Sequence, residues 1–354
     1  MAPPVLRILE RITRQPTAPL HEHAVIAEAA RIAREAGVSV RADAYGNLVL
    51  RPPRRRRGPE IWLVAHTDHP GFDVIGRGEA RLMGGVRPEF LRAGTKMRVY
   101  HEGEAIPARL SRFSTPSRRI QFTGAREARR GDFGVWELED FRVAGENVRA
   151  RQLDDLAGSA VSLAAMARVA RSGSVNLNAL LTRAEEIGFV GTLGAIESHL
   201  IPRGAWVINV EASKALPSVE IGGGPIIRTG DRQRTFSAEA EDLLLGARDR
   251  LPKAKPVQRA LMTGGTCEAT AFGLHGYRAT GLAIPLGNYH NMGPRDRLAP
   301  EFVASNDLAT AVDLVELAAR HASQGLSRSV RIRSRVARYL RRYGARLQAT
   351  RPEI

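Results

Sequence analysis

The sequence places a histidine and an aspartate two residues apart at the end of an apolar run. Residues 61–65 are all apolar, which predicts a buried strand; His66 follows the run directly, and Asp68 comes two residues later. An imidazole in this position can bind a metal ion, and a nearby carboxylate can hold the ring in place. A histidine at a strand end can equally have a purely structural role. The pair therefore becomes informative only together with the rest of the chain.

Acidic residues and a second histidine stand at four further places near the ends of predicted strands. They are Asp154 and Asp155 ahead of a predicted helix, Glu185 and Glu186 after a strand over 179–183, Glu211 after a strand over 205–210, and His290 after a strand near residue 283. In an open α/β sheet, ligands gather at the carboxyl ends of the strands. We therefore expect these five elements to face one crevice.

Two histidines and at least three carboxylates suit two divalent ions, each bound by one imidazole and one carboxylate, with a third carboxylate between them. Zinc accepts such nitrogen and oxygen ligands, and cobalt or manganese could replace it. Two ions roughly 3.5–4 Å apart can share a water, lower its pKa and polarise a carbonyl group. The adjacent Glu185 and Glu186 could both bind metal. Alternatively, one binds metal and the other acts as a general base.

Predicted strands alternate with helices over most of the chain, which favours an α/β fold with a mostly parallel central sheet flanked by helices. Helices are predicted over 5–12, 21–36, 158–171, 190–197, 237–250 and 302–322. Only short strand-like runs occur between residues 75 and 147, which predicts a small inserted β-rich domain. The expected domains are 1–74 plus 148–325 (a discontinuous catalytic α/β domain), 75–147 (a β-barrel-like insert) and 326–354 (an Arg-rich C-terminal tail).

The chain of 354 residues carries a net charge of +16, nearly all of it from arginine. The tail could be a basic amphipathic helix that docks on a partner or a polyanion, a solvated helix, or a disordered end.

The chain has a single cysteine, Cys267, which excludes a disulfide framework within one chain. No apolar window has signal-peptide or membrane-spanning character, so we expect a cytoplasmic protein without a membrane partner.

The sequence resembles the M42 family of metallo-aminopeptidases, in the wider group that includes the M20 and M28 peptidases. Seven blocks match the family in order: Tyr45-Gly-Asn-Leu, Ala65-His-Thr-Asp-His-Pro-Gly-Phe, Leu153-Asp-Asp-Leu-Ala-Gly, Glu185-Glu-Ile-Gly-Phe-Val-Gly, Ile221-Gly-Gly-Gly-Pro, Gly264-Gly-Thr-Cys and Tyr289-His. The resemblance covers roughly residues 5–320. The insert also falls where the family places one.

The resemblance implies a role for each candidate residue. The first ion would be bound by His66, which Asp68 orients, and by Glu211. The second ion would be bound by Glu186 and His290. The resemblance further implies that Asp154 bridges both ions, that Glu185 is the general base, that the peptide bond between Asp154 and Asp155 is cis, and that the chain forms a homo-oligomer.

Four residues depart from the family pattern. His69 stands where the family usually has an acidic residue, and Glu211 where it usually has aspartate. Arg183 and Cys267 occupy positions where glutamine and aspartate are expected, and Glu268 could take over the acidic role of the latter. These departures fall near the expected pocket for the free amine of the substrate, so they bear on substrate choice more than on metal binding.

The expected activity is the hydrolysis of N-terminal residues of peptides by attack of a metal-bridging water. A metal-dependent deacylase of N-acylated amides is an alternative, because the amine pocket departs from the family pattern. A second alternative is an inactive metal-binding scaffold that works through its tail. Nucleic acid is not the expected partner, although the Arg-rich tail leaves polyanion binding open.

Overall fold

The computed structural model describes residues 3–54, 58–173, 175–323 and 328–352. Its strands are β1 (Ser39–Ala42), β2 (Leu48–Arg51), β3 (Ile61–His66), β4 (Gly71–Gly76), β5 (Glu79–Met83), β6 (Lys96–His101), β7 (Glu104–Ser114), β8 (Arg119–Gly124), β9 (Phe133–Trp136), β10 (Arg142–Ala144), β11 (Asn147–Ala150), β12 (Leu177–Thr182), β13 (Trp206–Lys214), β14 (Ile226–Asp231), β15 (Gln258–Met262), β16 (Arg278–Leu286) and β17 (Glu301–Ala304). Its helices are α1 (Pro4–Thr13), α2 (His23–Glu35), α3 (Leu153–Ser172), α4 (Val190–Glu197), α5 (Ala238–Arg248), α6 (Glu268–Leu274), α7 (Ser305–Ser323) and α8 (Arg328–Ala349).

The central sheet has eight strands in the order β1-β2-β12-β3-β13-β16-β14-β15. The four strands β12, β3, β13 and β16 run parallel to one another. The β1–β2 hairpin joins β12 in the antiparallel sense, and β14 runs antiparallel to β16. The predicted α/β fold is confirmed, but the prediction of a mostly parallel sheet is wrong, because the sheet is mixed.

The central strands are apolar at nearly every position because both of their faces are buried. All six residues of β3 are buried. Successive side chains point to opposite faces of the sheet. Leu63 packs into the large core formed with α1, α2, α3, α5 and α7, whereas Trp62 and Val64 pack into a smaller core with α4 and α6. Helices therefore cover both faces of the sheet but not the carboxyl ends of its parallel strands.

A closed barrel in the order β4-β5-β8-β7-β6-β9 follows the first strand of the parallel group. It has its own apolar core, in which Phe72, Leu82, Val99 and Trp136 are buried. Its strands run antiparallel, from Gly71 to Trp136 along the chain. The predicted β-rich insert is thus present as a barrel, while the exact domain boundaries stay a prediction.

Several predicted elements differ from the structure in ways that matter for the site. The helix predicted over 302–322 begins only at Ser305, because the preceding residues form β17 and pair with β11. Strand β13 continues to Lys214, so Glu211 lies within the strand and not at its end. The short strands β14 and β15 were not predicted, and β14 contributes to the mixed character of the sheet.

The C-terminal tail contains helix α8, which approaches α5. The ends of the predicted tail, residues 326–327 and 353–354, lie outside the described residues. Among the helices that the structure describes, none combines the length and the apolar character needed to cross a bilayer.

Candidate metal centre

His66 is the last residue of β3, and its ring is buried at the carboxyl end of the parallel strands. Its Nδ1 atom lies 3.1 Å from the carbonyl oxygen of Asp68 and 3.4 Å from the nearer carboxylate oxygen of the same residue. These oxygens only accept hydrogen bonds, so they favour the tautomer with the proton on Nδ1. The lone pair on Nε2 then points away from Asp68, toward Asp154.

Asp154 and Asp155 lie at the kinked start of α3 and are joined by a cis peptide bond, as the resemblance implies. The two carboxylates point in different directions. Asp155 accepts hydrogen bonds from the amides of Gly158 and Ala212, at 2.9 and 2.8 Å. Gly158 lies close to β13, and an added Cβ there would come within 2.3 Å of the Val210 carbonyl oxygen. Asp155 therefore fixes the junction of α3 and β13, which leaves Asp154 facing the histidines.

Glu185 and Glu186 follow β12 in a turn that Asp68 holds. The two carboxylate oxygens of Asp68 accept hydrogen bonds from the backbone amides of Glu185 and Glu186, each at 3.0 Å. Asp68 is fully buried. This residue thus contacts the ring of His66 and also fixes the backbone of both glutamates.

His290 sits after β16 with φ +55°, in a short 3₁₀ turn. Its Nδ1 lies 2.8 Å from the carbonyl oxygen of Gly85, so this nitrogen carries the proton. Its Nε2 lies 2.9 Å from Glu186 Oε1 and 3.5 Å from Asp154 Oδ2. The ring is thereby aimed at two carboxylates through the nitrogen that holds the lone pair.

Glu301 is a buried residue that the sequence reasoning missed. One of its carboxylate oxygens accepts hydrogen bonds from the amides of Leu153 and Asp154, at 2.7 and 3.0 Å, and the other accepts from the amide of His290 at 2.8 Å. It fixes the backbone of two candidate ligands from opposite sides of the centre. A lone glutamate at the start of a short strand gives no sequence signal for this role.

The lone pairs of the two imidazoles and of the carboxylates converge, which is the arrangement a cation requires. Nε2 of His66 lies 3.3 Å from Asp154 Oδ1, an atom without a hydrogen-bond partner among the described residues. The contact of 2.9 Å between His290 and Glu186 is a hydrogen bond only if the ring is doubly protonated. Ligand atoms of His66, Asp154 and Glu186 lie within 4.8 Å of one another and could hold a metal ion. The residues present therefore fit a divalent metal.

The shifts in pKa within the cluster also indicate that positive charge is stabilised there. Burial alone would lower the pKa of both rings, but Glu185 raises that of His66 and Glu186 raises that of His290, well above the ordinary value. Burial likewise opposes the ionised form of Asp154, yet the adjacent rings of His290 and His66 lower its pKa. Protons or metal ions can supply this positive charge, so the two compete for the centre.

Glu211 lies outside the three-residue group just described and is paired with an arginine. Its Oε2 lies 3.4 Å from Nη1 of Arg228, a buried residue on β14, which β16 separates from β13. Burial raises the pKa of Glu211 to about 7, although Arg228 partly opposes this shift. The guanidinium also lies 3.2 Å from the hydroxyl of Ser213. Arg228 was missed because a single arginine in an apolar strand carries no motif.

The remaining departures from the family pattern lie around the centre. His69 is buried, with Nδ1 2.5 Å from the Asp154 carbonyl oxygen. Burial lowers the pKa of His69 to about 4, so this ring is neutral near pH 7. Arg183 turns away to Glu22, at 2.7 Å. Cys267 is buried in the core shared with α4 and α6, where burial raises the pKa of its thiol.

Glu268 is also buried behind the centre. Its carboxylate accepts hydrogen bonds from the hydroxyls of Thr182 and Thr192 and from the amide of Asn209. Burial raises the pKa of Glu268. These contacts engage both of its oxygens, so Glu268 supports the strands beneath the centre.

A cleft of about 620 Å³ opens over the centre. Glu185 and Glu186 line its floor, and Phe189 and Tyr289 lie beside them. Arg232 and Arg234, in the loop after β14, line another part of the wall. The cleft therefore connects the metal-ligand cluster to solvent and presents positive charge within it.

A family model described as M42 glutamyl aminopeptidase matches residues 123–300, which is half of the chain. The matched segment includes Asp154, Glu185, Glu186, Glu211 and His290, whereas His66 and Asp68 precede it. A search of the curated proteins finds no match.

Solved structures similar to this chain share its fold. The TET1 peptidase of Pyrococcus horikoshii is 20% identical, with 89% of this chain and 99% of that chain covered and a TM-score of 0.76. The aminopeptidase APDkam598 of Desulfurococcus kamchatkensis is 19% identical, with coverages of 90% and 95% and a TM-score of 0.73. A TET aminopeptidase of a marine sediment archaeon, Thaumarchaeota archaeon SCGC AB-539-E09, is 19% identical, with coverages of 89% and 95% and a TM-score of 0.75. The chain belongs to the M42 family of peptidases, metal-dependent enzymes that hydrolyse peptide bonds.

Proposed function

We propose that the chain is a dinuclear metal-dependent aminopeptidase that removes N-terminal residues from peptides. The observation that carries this proposal is the convergence of two imidazole lone pairs and several carboxylates beneath an open cleft. Buried carboxylates that lack hydrogen-bond donors repel one another. A cluster with a purely structural role would therefore not be expected to contain so many of them. A peptide in the cleft would meet these groups at its end.

In the proposed centre, Asp154 would contribute to both ions, because one of its oxygens faces His66 and the other faces His290. Glu186 would be the second carboxylate on the His290 side, and Glu211 would be the second carboxylate on the His66 side. Zinc is the metal this nitrogen and oxygen set suits, with cobalt or manganese as alternatives. When bound, the ions supply a lowered pKa for a shared water and polarise the carbonyl of the scissile bond.

Glu185 is the proposed general base. Its Oε2 lies 3.8 Å from His66 Nε2, and its carboxylate lines the cleft. Burial raises the pKa of Glu185 well above its ordinary value, which suits a group that must accept and release a proton near neutral pH. It would take a proton from the attacking water and return it to the departing amine. Asp68 holds its backbone in place for both steps.

The cleft favours peptides that begin with an acidic residue. Arg232 is exposed and Arg234 is half-buried, and both line the cleft that contains Glu185. A guanidinium pairs well with a carboxylate. The description of the matching family as glutamyl aminopeptidase agrees with this preference. We therefore propose N-terminal glutamate or aspartate as the preferred residue.

A homo-oligomer is also part of the proposal. One similar solved structure is described as a dodecamer, and the TET1 peptidase is described as able to assemble into a tetrahedron or a large octahedral shell.

The test combines a Glu185→Gln variant with a panel of free and N-acylated peptides, assayed before and after chelation. The variant should retain its metal content and lose about a hundredfold to ten-thousandfold in kcat, because only the proton acceptor is removed. Glu197→Gln, an exposed glutamate on α4, is the matched control and should leave kcat unchanged.

The panel also separates the alternatives. Cleavage of free N-termini alone, fastest for acidic ones, supports the proposal. Cleavage of N-acylated substrates alone would instead establish the deacylase. A protein that binds divalent metal and cleaves nothing would leave the inactive metal-binding scaffold. A protein that binds no divalent metal would overturn the proposal, and an unimpaired Glu185→Gln variant would overturn the role of Glu185.

A further inference from the structure

Helix α8 projects an apolar stripe into solvent. Every residue from 332 to 352 is exposed except the half-buried Gly344. At 100° per residue, the large apolar side chains of α8 fall within one sector about 100° wide. They are Ile332, Val336, Tyr339, Leu340, Tyr343 and Leu347, with exposed fractions between 40% and 71%. A single exposed leucine is ordinary, but a continuous stripe of this size marks an interaction surface.

The rest of the helix surface is strongly basic. Nine arginines and no acidic residue occur between positions 328 and 352. Arg333 borders one edge of the apolar stripe, and Arg335 and Arg346 border the other. The helix therefore combines an apolar stripe, tyrosines within it and arginines along its edges.

We propose that α8 binds the surface of an anionic lipid bilayer. The helix would lie in the plane of the interface, with its stripe among the acyl chains and its arginines on the headgroup phosphates. Tyrosine favours this depth because its ring is apolar and its hydroxyl is polar. The 22 residues of α8 give a helix about 33 Å long that rests on the membrane and does not cross it.

Other occupants fit the observations less well. A nucleic acid would neutralise the arginines but leave six large apolar side chains in water. A second copy of α8 packed stripe to stripe would place arginines beside arginines, with no carboxylate on either helix to offset their repulsion. A bilayer with anionic lipids can bury the apolar stripe of α8 among its acyl chains and pair the arginines with its headgroup phosphates. The inference differs from the sequence-based expectation that the protein has no membrane partner.

The test is flotation of the full chain with vesicles of phosphatidylcholine and phosphatidylglycerol, and with vesicles of phosphatidylcholine alone. We expect binding to the mixed vesicles and little binding to the neutral ones. The triple variant Arg338→Gln, Arg341→Gln and Arg342→Gln should weaken binding on the order of a hundredfold, because each basic residue adds a similar electrostatic increment. Arg112→Gln, Arg126→Gln and Arg130→Gln, on exposed parts of the barrel segment, are the matched charge control.

A second variant removes the stripe and keeps the charge: Val336→Ser, Leu340→Ser and Leu347→Ser. It should weaken binding to the mixed vesicles at least about tenfold. Val143→Ser with Leu261→Ser, two exposed apolar residues outside α8, is its control. The proposal is overturned if the full chain does not float with the mixed vesicles or if the stripe variant floats equally well. It is also overturned if the stripe variant only changes subunit number, or if a DNA duplex binds α8 while the vesicles do not.

Discussion

The two sides of the proposed metal centre share Asp154 but differ in what faces their second carboxylate. On one side, Oε1 of Glu186 lies 2.9 Å from Nε2 of His290. On the other side, the carboxylate of Glu211 lies 3.4 Å from Arg228. One carboxylate is already directed at its imidazole, while the other is paired with a resident cation.

This difference predicts unequal affinities for the two ions. The side with Glu186 is arranged for a divalent ion before one arrives, so binding there requires little rearrangement. On the side with Glu211, an incoming ion must compete with the buried charge of Arg228 for the same oxygen. We therefore expect one tightly bound ion and one that exchanges more readily.

Replacing the shared ligand should have the largest effect. In Asp154→Asn both ions would lose their bridging carboxylate, so kcat should fall by at least about a thousandfold and the metal content should fall as well. Elemental analysis of the purified variant and a peptidase assay measure the two quantities. Asp73→Asn is the matched control, because Asp73 also contacts an imidazole, that of His21 at 3.0 Å, but lies outside the centre. Full metal content in Asp154→Asn would contradict the bridging role.

The asymmetry itself is tested by comparing Glu186→Gln with Glu211→Gln. Each variant keeps the side-chain shape and removes one carboxylate. Glu186→Gln should weaken the tighter ion by up to about a hundredfold, whereas Glu211→Gln should leave that ion in place and weaken the other. Titration of the chelated proteins with metal against a competing chelator resolves the two affinities. Equal losses in both variants would show that the two sides do not differ.

The candidate ligands could be predicted from the sequence because of where they stand along it. A polar residue directly after a buried apolar run, as in His66, is visible without any knowledge of strand pairing. The same holds for Glu185 and Glu186 after β12. The order of the sequence blocks that match the M42 family indicated that these separate strand ends belong to one site.

What holds the ligands in place could not be predicted in the same way. Glu301 contacts Asp154, 147 positions earlier in the chain, and its role depends on how β17 lies against the start of α3. Arg228 reaches Glu211 because β14 pairs with β16, which lies between β14 and β13 in the sheet. Local apolar patterns identify strands but not their direction, which also explains the wrong prediction of a mostly parallel sheet.

The pH dependence of stability should distinguish the chelated protein from the metal-loaded one. The folded-state pKa values of His66 and His290 are raised, so their contribution to stability is complete below their ordinary value of 6.5 and is lost as the pH rises through the folded-state values. Each ring can remove up to about 1.4 kcal/mol of stability per pH unit in this range. Urea unfolding from pH 6.5 upward should show this loss in the chelated protein and little of it in the loaded one.

His69 is the reason for starting the measurement of unfolding at pH 6.5. Its pKa is lowered to about 4, so it contributes in the opposite direction and only between about 4 and its ordinary value of 6.5. Above pH 6.5 its contribution is constant. Parallel stability curves for the chelated and loaded proteins above this pH would mean that metal ions do not replace the protons of the cluster.

The smallest effect is expected from removing the competing cation. In Arg228→Met the apolar stem of the side chain is kept while its charge is lost, so Glu211 would be free to face the weaker ion. The affinity for that ion should rise by about tenfold, while the tighter ion, bound on the far side of Asp154, keeps its affinity. Arg228→Lys is the control, because it retains a cation beside Glu211 and should leave the weaker ion weak. If Arg228→Met instead lowered the affinity for the second ion, Arg228 would be positioning Glu211 for the metal and not competing with it, and the difference between the two sides would need another cause.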